Sequence, residues 1–165
     1  MSLSHPKSVL ITGASSGLGR ALALAYAGHG TAIYLSGRDQ GRLDAVAEDC
    51  RQRGAATEGR VIDVTDADAM AGWINEADAK TPLDLVIANA GITNSTSGLA
   101  DGPERTRRIL AVNVDGVVNT VLPALAAMDS RDRGQIALIA SIAGFRGLPT
   151  SSAYSASKAM VKAWG

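Results

Sequence analysis

Five short apolar runs punctuate this chain, and between them the apolar positions shift to helical spacing. Ser8–Ile11, Thr31–Leu35, Thr57–Ile62, Leu83–Ala88 and Gln135–Ala140 predict strands of a buried sheet. The segments between them carry stripes that predict helices packing one face inward: Leu18, Ala21, Leu22 and Ala25; then Leu43, Val46, Ala47 and Cys50; then Met70, Trp73, Ile74 and Ala77. Thr65, followed three residues later by Asp68, predicts a capping box for the third of these helices. Pro103 suits the first turn of a fourth helix, which runs toward Met128.

Strand and helix alternate throughout, so the strands are expected to be parallel and joined by right-handed crossovers. The predicted fold is therefore α/β, a three-layer α/β/α doubly wound sheet. No repeat, low-complexity tract or linker divides the chain, which reads as one domain over 1–165. The Gly/Ser-rich stretch Thr93–Gly102 reads as a loop inside it.

Composition narrows the partners. Sixteen basic and sixteen acidic residues cancel, with no long basic block, which argues against nucleic acid or an anionic membrane surface as the target. The apolar run after residue 7 stops at Gly13, too short for a signal peptide core or a membrane span. A lone Cys50 forms no internal disulfide, which fits a reducing cytoplasm. No metal ligand set is assigned.

Candidate chemistry gathers where the predicted strands end. After the first strand comes Thr12-Gly13-Ala14-Ser15-Ser16-Gly17-Leu18-Gly19. Gly13 allows a tight turn, Gly17 a close approach to a pyrophosphate and Gly19 a close helix–strand contact. The helix N-terminus offers free N–H groups to phosphates, and Ser15 and Ser16 add hydroxyls. A plain glycine turn is the competing reading. At the end of the second strand, Ser36-Gly37-Arg38 has glycine where an acid would hold a ribose 2′-hydroxyl, and a guanidinium that can fork onto a 2′-phosphate. That favours NADP(H) over NAD(H), although Arg38 also reads as a solvated helix start beside Asp39. Asp63 ends the third strand and reads either as an acceptor for an adenine amino group or as a helix cap. Asn89-Ala90-Gly91 ends the fourth, where small residues let a flat ring lie against backbone, or simply make a turn.

Farther along, Tyr154-Ser155-Ala156-Ser157-Lys158 puts a phenol and an ammonium on one helix face. A phenol titrates near pH 10 in water, and a neighbouring cation brings it toward neutrality. Ser141 ends the fifth strand, and Asn113 stands between two valines as either hydrogen-bonded structure or a working group.

In this order, these residues resemble the compact branch of the short-chain dehydrogenase/reductase family. The likeness runs from Thr12 to Lys158 and rests on Thr12-Gly13-x-x-x-Gly17-x-Gly19, Asp63, Asn89-Ala90-Gly91, Asn113, Ser141 and Tyr154-x-x-x-Lys158. It implies strand order 3-2-1-4-5, with Leu18 and Val64 also beside the cofactor. It further implies that Tyr154 is the general acid in reduction and the base in oxidation. Lys158 would favour the phenolate and bind the nicotinamide ribose. Ser141 would donate to the substrate oxygen, and Asn113 would hold a water that relays protons to Lys158. The implied substrate is a small carbonyl compound or secondary alcohol. Ile92–Leu99 and the loop after Ser141, with Phe145, Arg146 and Leu148, would contact it. The resemblance also implies a homodimer or homotetramer. Its interface would form through the helix after Pro103 (Ala111, Val114, Val118, Leu122) and the helix carrying Tyr154 (Ala156, Ala159, Met160, Ala163). Family members continue beyond Gly165 with two further strands and a segment that closes over substrate. A longer natural chain, or a fragment held together by association, is therefore expected. The alternative is a nucleotide-binding fragment without turnover.

Overall fold

The structure is a computed structural model that describes residues 5–93 and 102–165. Its sheet has five parallel strands, β1 (Ser8–Thr12), β2 (Ala32–Gly37), β3 (Ala56–Val61), β4 (Leu85–Ala88) and β5 (Gln135–Leu138), in the order β3-β2-β1-β4-β5. This is the expected doubly wound order, and each strand lies within two residues of its predicted run. The central strands β1 and β4 are buried along their whole length, while β3 and β5 are the more exposed edges.

The pleat divides the core. Val9, Ile11, Ile33 and Leu35 point to one face and pack with helices α1 (Gly17–Tyr26) and α2 (Gln40–Gln52). Leu10, Tyr34 and Val86 point to the other and pack with α3 (Ala67–Lys80) and the helix that follows β4. The stripes of α2 and α3 are buried as predicted.

The α1 stripe is not. Leu18, Ala21 and Ala25 are exposed and Leu22 packs against the core only partly buried, whereas Gly19 and Ala23 are the buried residues. Gly19 seats α1 against the Gly13 carbonyl and the Asn89 side chain, so the apolar stripe alone does not choose the buried face. The capping box on α3 also fails by one residue. The helix begins at Ala67, so Asp66 is its cap and accepts from the Ala69 N–H at 3.0 Å, while the Thr65 hydroxyl donates to Asp63.

Pro103 does open the fourth helix, α4 (Pro103–Leu110). A π turn over Ala111–Asp115 then interrupts the helical run before α5 (Gly116–Asp129). The run Pro103–Asp129 is long and apolar enough to cross a bilayer. Here Val117, Val121, Ala124 and Met128 lie buried in the core, which accounts for that composition. Finally α6 (Ser152–Trp164) carries Tyr154 and Lys158. The predicted loop Thr93–Gly102 and the predicted substrate contacts Ile92–Leu99 fall mostly outside the described residues.

Candidate active site

The carboxyl ends of β1 and β4 are fastened together by Thr12. Its Oγ1 accepts from the N–H groups of Asn89 and Ala90, both at 3.1 Å. Asn89 returns the contact, since its Nδ2 donates to the carbonyls of Thr12 at 2.9 Å and Gly13 at 3.3 Å. Two glycines make this closeness possible. Gly13 has φ +65°, and a Cβ there would lie 2.8 Å from Ala90 Cα. A Cβ on Gly19 would run into the Gly13 carbonyl and lie 2.6 Å from Asn89 Nδ2. Ser16 caps α1 without a side-chain hydrogen bond, and the first turn holds no acidic residue, an arrangement suited to an anion.

Above these strand ends lies a cleft of about 560 Å³. The glycine loop, including Ser15, Ser16, Gly17 and Leu18, forms one wall. Gly37 and Arg38 close one end, Asp63 and Val64 flank it, and Asn89, Ala90 and Gly91 form the floor. Tyr154 and Lys158 stand at the other side with Ile139 and Ala140. Every residue assigned to the cofactor from sequence thus lines one cavity. Asn113 and Ser141 do not line it.

Lys158 is buried, at 4% exposure, and its Nζ donates to the Ile139 carbonyl at 2.6 Å. Burial pushes its pKa below the usual lysine value. The ammonium lies 5.9 Å from the centre of the Tyr154 ring. Gly91 locates the neighbours, since a Cβ there would be 3.6 Å from Lys158 Nζ and 3.3 Å from Asn113 Oδ1.

Asn113 sits inside the π turn, fully buried. Its Oδ1 accepts from the Ile92 N–H at 2.8 Å, and its Nδ2 donates to the Ile92 carbonyl at 2.9 Å and to Ser157 Oγ at 3.0 Å. Its side chain is therefore hydrogen-bonded structure that joins the β4 loop to α6. Ser141 caps a short 3₁₀ turn, Ile142–Gly144, where its Oγ accepts from the Ala143 N–H at 3.1 Å.

Asp63 has both oxygens engaged. Oδ1 accepts from the Thr65 N–H at 3.1 Å and hydroxyl at 2.8 Å, and Oδ2 accepts from Arg108. Partial burial would raise its pKa, but the hydrogen bonds from Arg108 and Thr65 and the Arg108 charge outweigh it and hold the carboxyl below its usual range. Asp39 caps α2 by accepting from the Arg42 N–H at 3.0 Å, which gives it a role apart from Arg38.

A family model described as short chain dehydrogenase matches residues 7–164. The chain belongs to the short-chain dehydrogenase family. Among its relatives is an uncharacterized oxidoreductase of Myxococcus xanthus (strain DK1622). It is 42% identical over 156 residues, covering 94% of this chain and 62% of that protein. The fold is similar to NAD⁺-bound xylitol dehydrogenase, with TM-score 0.89 and 29% identity, covering 96% of this chain and 62% of that one. It is also similar to a metagenomic short-chain oxidoreductase in complex with NADP, with TM-score 0.87 and 28% identity, covering 96% and 72%. This chain thus spans about three fifths of the length of the first two proteins.

Three residues that this member of the short-chain dehydrogenase family brings to the site escaped the sequence reading. Arg42 lines the cleft one turn beyond Arg38, and that spacing was a usable signal. Ser157 lies inside the Tyr154–Lys158 segment, where its hydroxyl donates to the Tyr154 carbonyl at 2.7 Å and accepts from Asn113. Arg108 reaches Asp63 across 45 positions of sequence, and no local pattern announces it. Among the described residues no group of three or more His, Cys, Asp or Glu side chains is placed to hold a metal ion.

Proposed function

We propose that this chain is the dinucleotide-binding and catalytic part of an NADP(H)-dependent oxidoreductase that interconverts a small carbonyl compound and its secondary alcohol. One observation carries the reading: one cleft is lined by the glycine loop and Arg38 and also by Tyr154 and Lys158. The cradle fits a dinucleotide, because the glycine loop lines the cleft and the N-terminus of α1 meets it with no side-chain cap and no acidic residue in its first turn.

In this reading the α1 N–H groups, Ser15 and Ser16 hold the pyrophosphate. Arg38 takes the 2′-phosphate, with Gly37 in place of an acid at the end of β2 and the neighbouring Asp39 carboxylate engaged by Arg42. Asp63 accepts from the adenine amino group, and Asn89–Gly91 support the nicotinamide ribose and ring. The bound nicotinamide supplies or takes up the hydride. Tyr154 hands its phenolic proton to the substrate oxygen in reduction and takes one back in oxidation. Lys158, held by the Ile139 carbonyl, lends the positive charge that stabilises the phenolate. Ser141 already accepts from Ala143, so its own proton is available for the substrate oxygen. Asn113 braces the π turn beside Lys158, where a relay water would sit. The exposed Leu122 and Leu125 on α5, with exposed Ala156, Ala159 and Ala163 on α6, support pairing with a second copy.

The test is NADPH consumption with a panel of ketones, and NADP⁺ reduction with the matching alcohols. Tyr154→Phe should bind NADPH normally and lose about 10²–10⁴-fold in turnover, the range of a general acid–base group. Unchanged turnover in that variant would refute the assignment. Cofactor binding without turnover on any substrate would favour the non-catalytic alternative.

A further inference from the structure

We propose that Arg108 is a positioning residue of the adenine subsite, fixing the Asp63 carboxylate as the acceptor for the adenine 6-amino group. The inference rests on the dinucleotide reading above and adds a residue to it. An aspartate carboxylate turns over a broad range about its last torsion, so its rotamer alone does not aim it. Here donors from two elements pin it. Thr65, in the turn after β3, takes Oδ1 with two hydrogen bonds, and Arg108, from α4, takes Oδ2. A carboxylate oxygen has two acceptor sites, so Oδ2 keeps one for a further donor. Asp63 itself lines the cleft, where the amino group of a bound ligand would meet that remaining site. Three donors on one carboxylate also favour its ionised, acceptor-only state, the form an amino group needs.

Packing does not explain Arg108. The α4 residue buried in the core is its neighbour Ile109, whereas the Arg108 side chain is 38% exposed and the Asp63 side chain 34%. A surface ion pair of this exposure contributes little stability. The rival role is a tether between α4 and the end of β3, and ligand chemistry separates the two.

Arg108→Met keeps the aliphatic stem and removes the donors. NADPH and its hypoxanthine analogue, in which a carbonyl replaces the 6-amino group, would each be titrated by calorimetry into the unmodified protein and the variant. Circular dichroism would confirm folding, and Arg108→Gln would serve as a second variant. The unmodified protein should prefer NADPH to the analogue. Arg108→Met should weaken NADPH by about five- to ten-fold, the scale of one ordinary hydrogen bond, and the analogue by less than about two-fold. Equal weakening of both ligands would mean a tether and overturn the proposal, as would no weakening of either. Equal affinity of the unmodified protein for the two would also overturn it while leaving the cofactor reading standing. Saturable binding of neither would bring down the cofactor reading itself.

Discussion

Thr12→Val is nearly isosteric and removes one hydroxyl from the junction of β1 and β4. That hydroxyl oxygen accepts two backbone N–H groups, from Asn89 and Ala90, and Thr12 is 1% exposed, so water cannot replace it from the β1 side. The Asn89 N–H keeps a contact with the Ile87 carbonyl at 3.0 Å, so the Ala90 N–H carries most of the loss. An orphaned buried donor costs about 1–3 kcal/mol, and the half-buried setting of Ala90 places this one toward the lower half of that range. Urea unfolding followed by circular dichroism measures it, with Thr12→Ser as the control that keeps the hydroxyl and gives up a methyl. Removing that methyl should itself cost about 1 kcal/mol, so stability alone does not separate the variants and cofactor affinity must. Thr12→Val loosens the cleft floor and should weaken NADPH binding several-fold. Thr12→Ser should bind like the unmodified protein. If the two variants lost NADPH affinity equally, or Thr12→Val lost none, the hydroxyl clamp would be refuted as the support of the floor.

Arg38→Ala should cost about 1–2 kcal/mol in NADPH affinity and little with NADH, as expected for a charge-assisted contact to the 2′-phosphate. Equal affinities of the unmodified protein for NADPH and NADH would remove the basis for NADP(H) preference. Asp63, whose pKa is held down in the folded chain, adds a small, solvent-screened stabilisation to the fold above the pKa of an unfolded aspartate, near pH 3.9, and it is lost as pH falls through the lower folded value. The unfolding midpoint of Asp63→Asn should therefore fall less steeply than that of the unmodified protein in acid; parallel pH profiles would contradict this. Asn113→Leu removes three hydrogen bonds at a fully buried site and should cost several kcal/mol, about 3–5 from the groups left unpaired. A loss below about 1 kcal/mol would show that the amide is not the brace described.

The parts of the site that were legible in the sequence sit at the carboxyl ends of strands, where a turn residue announces itself locally. Gly13, Gly19 and Asn89 are such residues, and the cleft contains every cofactor position expected from them. The parallel doubly wound architecture was legible because strand and helix alternate, and the order 3-2-1-4-5 came from the family resemblance. What escaped depends on orientation between elements. The buried face of α1 follows from the seat of Gly19, which outranks the Leu18 stripe. Arg108 meets Asp63 only because α4 runs past the end of β3. The π turn carries no periodic signature, and its only trace was an amide among valines at Asn113. The α3 cap was missed by one residue because Asp66 and Thr65 both suit the position and the Asp63 carboxylate claims the Thr65 hydroxyl.

The cleft over β1 and β4 is proposed as a nicotinamide dinucleotide site that includes Tyr154 and Lys158. Calorimetric titration of the 165-residue chain with NADPH tests it most directly, beside Lys158→Met. One saturable site per chain is expected, weakened in Lys158→Met because the ammonium would meet the nicotinamide ribose. No saturable binding, or binding indifferent to Lys158, would contradict it.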